Sequence, residues 1–339
     1  MADLISKEKE NGVHQSTVKV IFLSVFEIGS AFLMSFYFRQ FANNSGFPNG
    51  GMTWFLIYLG LFVGFSFLAA LFIKELQWSG LAAGLSVMAS MAVFYDYFSM
   101  IFLVFGFLIF LIFIWGIHRL QGELENNLKI KFFRLVKAAL PKITLGIAIL
   151  ISLFSYFLFS IRVSSASPEQ SGFPISFEFF QSFILKPNEK IIGIFVPDFS
   201  FQKPLQIIFS GFLEKQISEK VSGFQNLSAS AKENILESAV QKEFTDGLTK
   251  FFNYKINVQD AVDKIVYDIL TMKFSQLGET AKNFIIIGIS VILFLIIQTL
   301  FIPINWLFSV VLFIIYSFLL AVDFVNIVSE PRSKEVIRI

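Results

Sequence analysis

The chain has 339 residues, of which 55% are hydrophobic and 15% are charged, and its formal net charge at pH 7 is +2. Soluble domains are about 45–50% apolar and about 25% charged, so this composition excludes a soluble enzyme and a disordered tail. The balance of 27 Lys and Arg against 25 Asp and Glu excludes a basic surface for nucleic acid. Because the chain has no cysteine, disulfides, thiolate metal sites and cysteine nucleophiles are also excluded. The sequence therefore predicts a polytopic α-helical membrane protein.

Apolar stretches of about 20 residues, enough to cross roughly 30 Å of hydrocarbon, recur along the chain. We predict seven transmembrane helices, at 20–38, 53–73, 79–95, 98–117, 143–161, 283–302 and 304–325. The first four make up a transmembrane region over 20–117, which follows a tail of residues 1–19. Pro303 and Asn305 interrupt the last apolar run, so 283–325 is predicted to be a transmembrane helical hairpin.

The Lys and Arg residues of short loops set the orientation of a membrane protein. With residues 1–19 in the cytoplasm, ten Lys and Arg residues lie in the inner short segments and four in the outer ones. This predicts a multi-pass protein of the cell membrane with a cytoplasmic N-terminus and an extracytoplasmic segment over 162–282. Seven crossings place the basic tail 326–339 outside, whereas six or eight would place it inside. The number of crossings therefore stays open among these three.

The predicted cytoplasmic connector, 118–142, has apolar residues at helical spacing together with six basic residues. The apolar positions are Leu124, Leu128, Phe132, Leu135 and Val136. One interpretation is a short basic amphipathic helix that lies on the anionic inner leaflet. The other is a solvated connector whose basic residues only reflect the orientation of the chain.

Residues 162–282 form the one segment long enough for an independent domain outside the membrane. Alternating apolar and polar residues predict a strand at 175–179 and a second strand at 191–196. Helix-start signals follow at Pro204, at a capping box of Ser230 and Glu233, and at Asn257. We therefore predict a small, mostly α-helical domain with a minor β element.

Glu27 lies roughly 10 Å inside the first predicted span, at about 1.5 Å per residue. A carboxylate at such a depth is costly, so it is either protonated or faces a partner or water. None of the predicted spans contains a Lys or Arg that could pair with it. Two interpretations follow: an ion- or proton-binding site, or a protonated side chain bonded to a neighbouring helix or to Ser24 or Ser30.

Arg39 and Asp96 fall at the outer ends of the first and third predicted spans. Opposite charges at the same membrane boundary can pair, and we expect this ion pair to lock the two helices together.

Small residues four apart occur in two successive spans, Gly60 with Gly64 and Gly80 with Gly84. This spacing lets helix backbones approach closely within lipid. Because a short turn joins the two spans, they are expected to pack on each other as a hairpin. The same motif is compatible with a homo-oligomer.

The sequence has no HExxH, GxSxG, Walker A or GxGxxG motif. We therefore expect no catalytic residue, no metal, no cofactor and no enzymatic activity. The first functional hypothesis is a scaffold or assembly component whose extracytoplasmic domain binds or organises a protein partner. The alternative is a transporter or channel in which Glu27 is an intramembrane protonatable site. The expected partners are the lipid bilayer and either another protein or a second copy of the chain.

Overall fold

The computed structural model of the chain describes residues 17–43, 51–126, 130–165, 173–194, 199–208, 228, 246–322, 324, 326–330 and 334–338. The described part is almost entirely helical, which confirms the predicted helical class. Its main elements are α1 (Thr17–Asn43), α2 (Gly51–Phe72), α3 (Leu76–Ala92), α4 (Met100–Asn126), α5 (Phe132–Ser165), α6 (Asp246–Phe252), α7 (Val262–Ser275), α8 (Glu279–Ala321), β1 (Asn326–Glu330) and β2 (Lys334–Arg338). Five helices, α1, α2, α4, α5 and α8, are long and apolar enough to cross a membrane.

The third predicted span corresponds to α3, which has 17 residues. This length is at the lower end of what can cross the hydrocarbon layer. A short 3-10 turn, Tyr95–Tyr97, separates α3 from α4. The segment predicted as the third span is therefore helical and has the predicted length, with both ends shifted by three residues toward the N-terminus.

The chain divides into two compact units, one made of Met1–Leu158 with Ile287–Ile339 and the other of Phe159–Ile286. In the first unit α1 packs against α2 and α3, and α3 packs against α4. Its core is rich in fully buried phenylalanine rings, and the rings of Phe94 and Phe154 stack with their centroids 4.0 Å apart. Phenylalanine thus fills the contacts between helices and also occupies exposed positions on the helix surfaces.

The predicted hairpin at 283–325 is wrong, because α8 is one continuous helix of 43 residues that includes Pro303. A proline inside a helix removes one backbone hydrogen bond but need not end the helix, above all in an apolar environment where no water competes for the other bonds. Asn305 does not form a turn. Its Nδ2 donates to Thr144 Oγ1 of α5 at 3.1 Å.

The predicted amphipathic helix within 118–142 is also wrong as a separate element. Helix α4 continues to Asn126 and α5 begins at Phe132. Three of the apolar residues that suggested a membrane-surface helix, Phe132, Leu135 and Val136, are buried in the core of the first unit. The amphipathic pattern therefore reflects packing between helices. Leu128 lies outside the described residues.

In the second unit the predicted strand at 175–179 is wrong, because a helical segment starts there. The Ser176 hydroxyl accepts a hydrogen bond from the Phe179 N–H at 3.3 Å and so caps this segment. The segment continues as Phe177–Phe179, a π-helical turn at Phe180–Leu185, and Lys186–Ile192. It therefore also replaces the start of the strand predicted at 191–196, whose last residues lie outside the described part.

The two helix starts predicted near Pro204 and Asn257 are close to the observed ones. Residues 205–208 are helical. Helix α7 begins after Ala261 rather than after Asn257, whose Oδ1 accepts a hydrogen bond from the Gln259 N–H at 3.2 Å in a local turn. Among the described residues of this unit, Leu205, Ile256, Ile265 and Ile269 form a small hydrophobic cluster. The capping box of Ser230 and Glu233 lies outside the described residues.

Two strands that the sequence did not predict follow α8. β1 and β2 pair in antiparallel register, with Asn326 opposite Arg338 and Glu330 opposite Lys334. In the described residues this hairpin is the only regular β structure.

Candidate functional site

Glu27 lies on the face of α1 that packs against α2 and α3. Its side chain is 2% exposed. The preceding residue marks the contact with α2, because the rings of Phe26 and Phe65 lie 5.1 Å apart. The single carboxyl group of α1 therefore lies in the interior of the first unit.

Two serine hydroxyls from the neighbouring helices lie beside the Glu27 carboxyl. They belong to Ser66 of α2 and Ser86 of α3. These two residues are 3% and 0% exposed. Three consecutive helices thus bring one carboxyl and two hydroxyl groups together in a place without contact to solvent.

The hydrogen bonds of this cluster are incomplete. Ser86 Oγ donates to the Ala82 carbonyl at 2.9 Å, so the oxygen can offer only its lone pairs to Glu27. Glu27 Oε2 and Ser66 Oγ have no hydrogen-bond partner among the described residues. Ser30 does not bond to the carboxyl, because its hydroxyl donates to the backbone carbonyl of Glu27 at 2.9 Å. Buried polar atoms usually have partners, and an unpaired one is costly.

A second contact between α1 and α3 fixes the position of this cluster. Ser90 Oγ donates to the Ala31 carbonyl at 3.3 Å. Ser90 and Ala31 lie four residues beyond Ser86 and Glu27, so both contacts follow one register between two parallel helices. A shift of α3 along α1 would therefore change the surroundings of Ser86 and break the hydrogen bond of Ser90 at the same time.

The basic side chains of α1 are engaged at the ends of the helix. Lys19 Nζ donates to the Phe324 carbonyl at 2.6 Å and lies 4.6 Å from the centroid of the Phe324 ring. Arg39, near the other end of α1, forms an ion pair with Asp96. The carboxyl of Glu27 therefore has no basic partner on its own helix.

The structure brings Arg39 and Asp96 together, as the sequence predicts. Arg39 Nη2 lies 2.5 Å from Asp96 Oδ2, and Arg39 Nη1 donates to the Val93 carbonyl. Both side chains are partly exposed, so the ion pair itself contributes little to the free energy of unfolding. The contact nevertheless fixes the end of α1 against the turn after α3.

The four glycines face helices other than those predicted. A Cβ atom on Gly60 or Gly64 would meet Phe308 or Leu312 of α8, at 3.7 and 4.0 Å. A Cβ atom on Gly80 or Gly84 would meet Ile114 or Phe110 of α4, at 2.9 and 3.2 Å. The expectation that α2 and α3 form a tight hairpin through these residues is therefore wrong. Each glycine pair instead packs against two large side chains of another helix.

Sequence reasoning identified Glu27 but missed its two serine neighbours. A signal was present for Ser86, since its four-residue spacing from Ser90 places two hydroxyls on one face of α3. Ser66 gives no such signal, since it stands alone in an apolar helix.

Within the described residues no group of three or more His, Asp or Glu side chains could hold a metal ion. Comparison with protein-family models, curated proteins and solved structures gives no match to this chain. The feature of this chain that bears on its function is therefore the geometry around Glu27.

Proposed function

We propose that this chain is a membrane transporter or channel in which Glu27 binds the transported proton or cation. The observation that carries the proposal is the buried Glu27 carboxyl, which has an unpaired oxygen and two hydroxyl neighbours. Ionisable groups inside a membrane are costly and commonly mark ion pathways or proton relays. A carboxyl kept only for packing would be expected to have all its hydrogen bonds satisfied.

The test is ion flux through the full-length chain reconstituted into liposomes. We expect the protein to dissipate an imposed gradient of protons or alkali cations faster than liposomes without protein do. Flux at the rate of empty liposomes for every ion tested would overturn the proposal.

We further propose six membrane crossings, made by α1 to α5 and α8, with both termini in the cytoplasm. The contacts of Gly60 with Phe308 and of Gly64 with Leu312 advance by four residues on both helices, so α8 runs parallel to α2. Helix α8 then ends beside Lys19, at the start of α1. With six crossings, Arg39 is the one basic residue outside 162–282 that lies on the outer side.

Single-cysteine labelling tests this topology, because the natural chain has no cysteine to remove. A cysteine at Ser333 is expected to react with a membrane-impermeant maleimide only after cell lysis. A cysteine at Ser165 is expected to react in intact cells. Labelling of both positions from outside would instead support seven crossings, and a Ser165 cysteine that reacts only after lysis would reverse the orientation.

A second candidate function is that of a non-enzymatic scaffold or assembly component. It is favoured by the separate compact unit Phe159–Ile286, which has its own small core. This unit exposes large apolar side chains, including Ile194 at 77% and Phe251 at 80%. If it lies outside the membrane, such side chains could contact a protein partner.

Deletion of residues 165–280 tests this second function. We expect the deletion to abolish co-purification of a protein partner from the native membrane while α1 to α5 remain folded and inserted. Protease protection of the membrane-embedded part serves as the folding control. A partner that still co-purifies with the deleted chain would contradict the scaffold function.

A further inference from the structure

We infer that Glu27, Ser66 and Ser86 form a binding site for a small alkali cation, Na⁺ or Li⁺, which competes with a proton. This inference rests on the proposed function and names the chemical class of the bound ion. Its three residues come from three helices, and each is at least nine-tenths buried.

The hydroxyl of Ser86 limits what can lie between it and Glu27. Its hydrogen is donated to the Ala82 carbonyl, so Ser86 Oγ can offer only lone pairs to a neighbouring group. Two oxygen atoms that present only lone pairs repel each other unless a positive charge lies between them. A proton on Glu27 or a bound cation provides that charge.

A proton shared between Glu27 and Ser86 needs only the oxygens of these two residues. Ser66 supplies a third oxygen. Ser66 Oγ and Glu27 Oε2 are both buried and unpaired, although the two side chains are neighbours. Because neither oxygen has a hydrogen-bond partner among the described residues, both are available as ligands of one ion. Hard cations bind carboxylate and hydroxyl oxygens of this kind.

The charge of the site indicates a monovalent ion. Glu27 supplies a single negative charge, which one Na⁺ or Li⁺ would neutralise, whereas a divalent ion would leave a buried positive charge. The two helices with the most extensive contacts to α1, which are α2 and α3, add no further charge near it. Helix α3 has no titratable residue, and the one titratable side chain of α2, Tyr58, stacks on Tyr37 with ring centroids 5.3 Å apart.

The test uses dicyclohexylcarbodiimide, which modifies protonated carboxyls in apolar surroundings. The full-length protein in detergent is labelled at fixed pH in NaCl, LiCl, KCl or choline chloride of equal ionic strength, and modification of Glu27 is measured by mass spectrometry. We expect Na⁺ and Li⁺ to slow the labelling several-fold relative to K⁺ and choline. Labelling should also slow as the pH rises.

Three serine variants make the test specific for the proposed ligands. Ser66→Ala and Ser86→Ala are expected to be labelled but to lose the protection by Na⁺. Ser35→Ala is the matched control, since Ser35 is an equally buried and unpaired serine of α1. It should keep the protection.

The outcomes separate this inference from the proposed function. Labelling that depends on pH but is the same in NaCl and choline chloride overturns the cation site and leaves a proton site intact. If Glu27 is not labelled at any pH, the cation site is tested by the thermal unfolding midpoint. A ligand that binds the folded state raises this midpoint. An equal midpoint in NaCl and choline chloride then overturns the inference.

Discussion

Replacing Glu27 with Gln is expected to reduce ion flux to the rate of liposomes without protein. The amide has nearly the shape of the carboxyl and keeps a donor and an acceptor, so the packing of α1 against α2 and α3 should be retained. It does not titrate and carries no negative charge, so it can neither release a proton nor neutralise a bound cation. The measurement is the fluorescence of a pH-sensitive dye enclosed in proteoliposomes after a pH gradient is imposed.

Two controls separate the loss of flux from a loss of folding. The thermal unfolding midpoint of Glu27→Gln should equal or exceed that of the wild type, because the variant removes a costly buried carboxyl. Glu75→Gln makes the same chemical change at an exposed position before α3 and should leave flux unchanged. A folded Glu27→Gln protein with wild-type flux would contradict the proposed function.

Replacing Gly146 with Leu is expected to destabilise the first unit by about 1–3 kcal/mol, the usual cost of overpacking a core. A Cβ atom at Gly146 of α5 would lie 2.6 Å from the ring of Phe113 in α4. Phe113 cannot move freely, since it is buried and stacks on Phe62 with ring centroids 5.9 Å apart. The measurement is the thermal unfolding midpoint in detergent, which should fall.

Gly29→Leu is the matched control for Gly146→Leu. Both changes replace a helical glycine with a good helix former, which by itself favours the helix. A Cβ atom at Gly29 has nothing within 4 Å, so this variant should be as stable as the wild type or more stable. Equal unfolding midpoints for the two variants would show that α4 and α5 do not approach as closely as the structure has them.

The helical class could be predicted because long apolar runs leave few alternatives in a membrane. Arg39 and Asp96 could be predicted to meet because each lies where an apolar run ends. The continuity of α8 could not be predicted from its sequence, since the cost of Pro303 depends on contacts made elsewhere. One of those contacts is the hydrogen bond from Asn305 to Thr144, which lies 161 positions earlier.

The candidate site was only partly predictable for a similar reason. A carboxyl within an apolar helix is conspicuous in any sequence, whereas a serine there is ordinary. Ser66 and Ser86 become informative only once packing shows that α1 contacts both α2 and α3 through the same face. Local spacing predicts which residues share a face of one helix, but not which helix covers that face.

The contact between Lys19 and Phe324 has a consequence for the synthesis of the protein. These residues are separated by 305 positions, and at about 5–20 residues per second the ribosome needs on the order of 15–60 s to travel between them. During this time the start of α1 and the α2 surface at Gly60 and Gly64 are without their final neighbours. Helix α1 therefore completes its contact with Phe324 only after α8 has been synthesised, and any chain that ends before α8 leaves the α2 surface at Gly60 and Gly64 open.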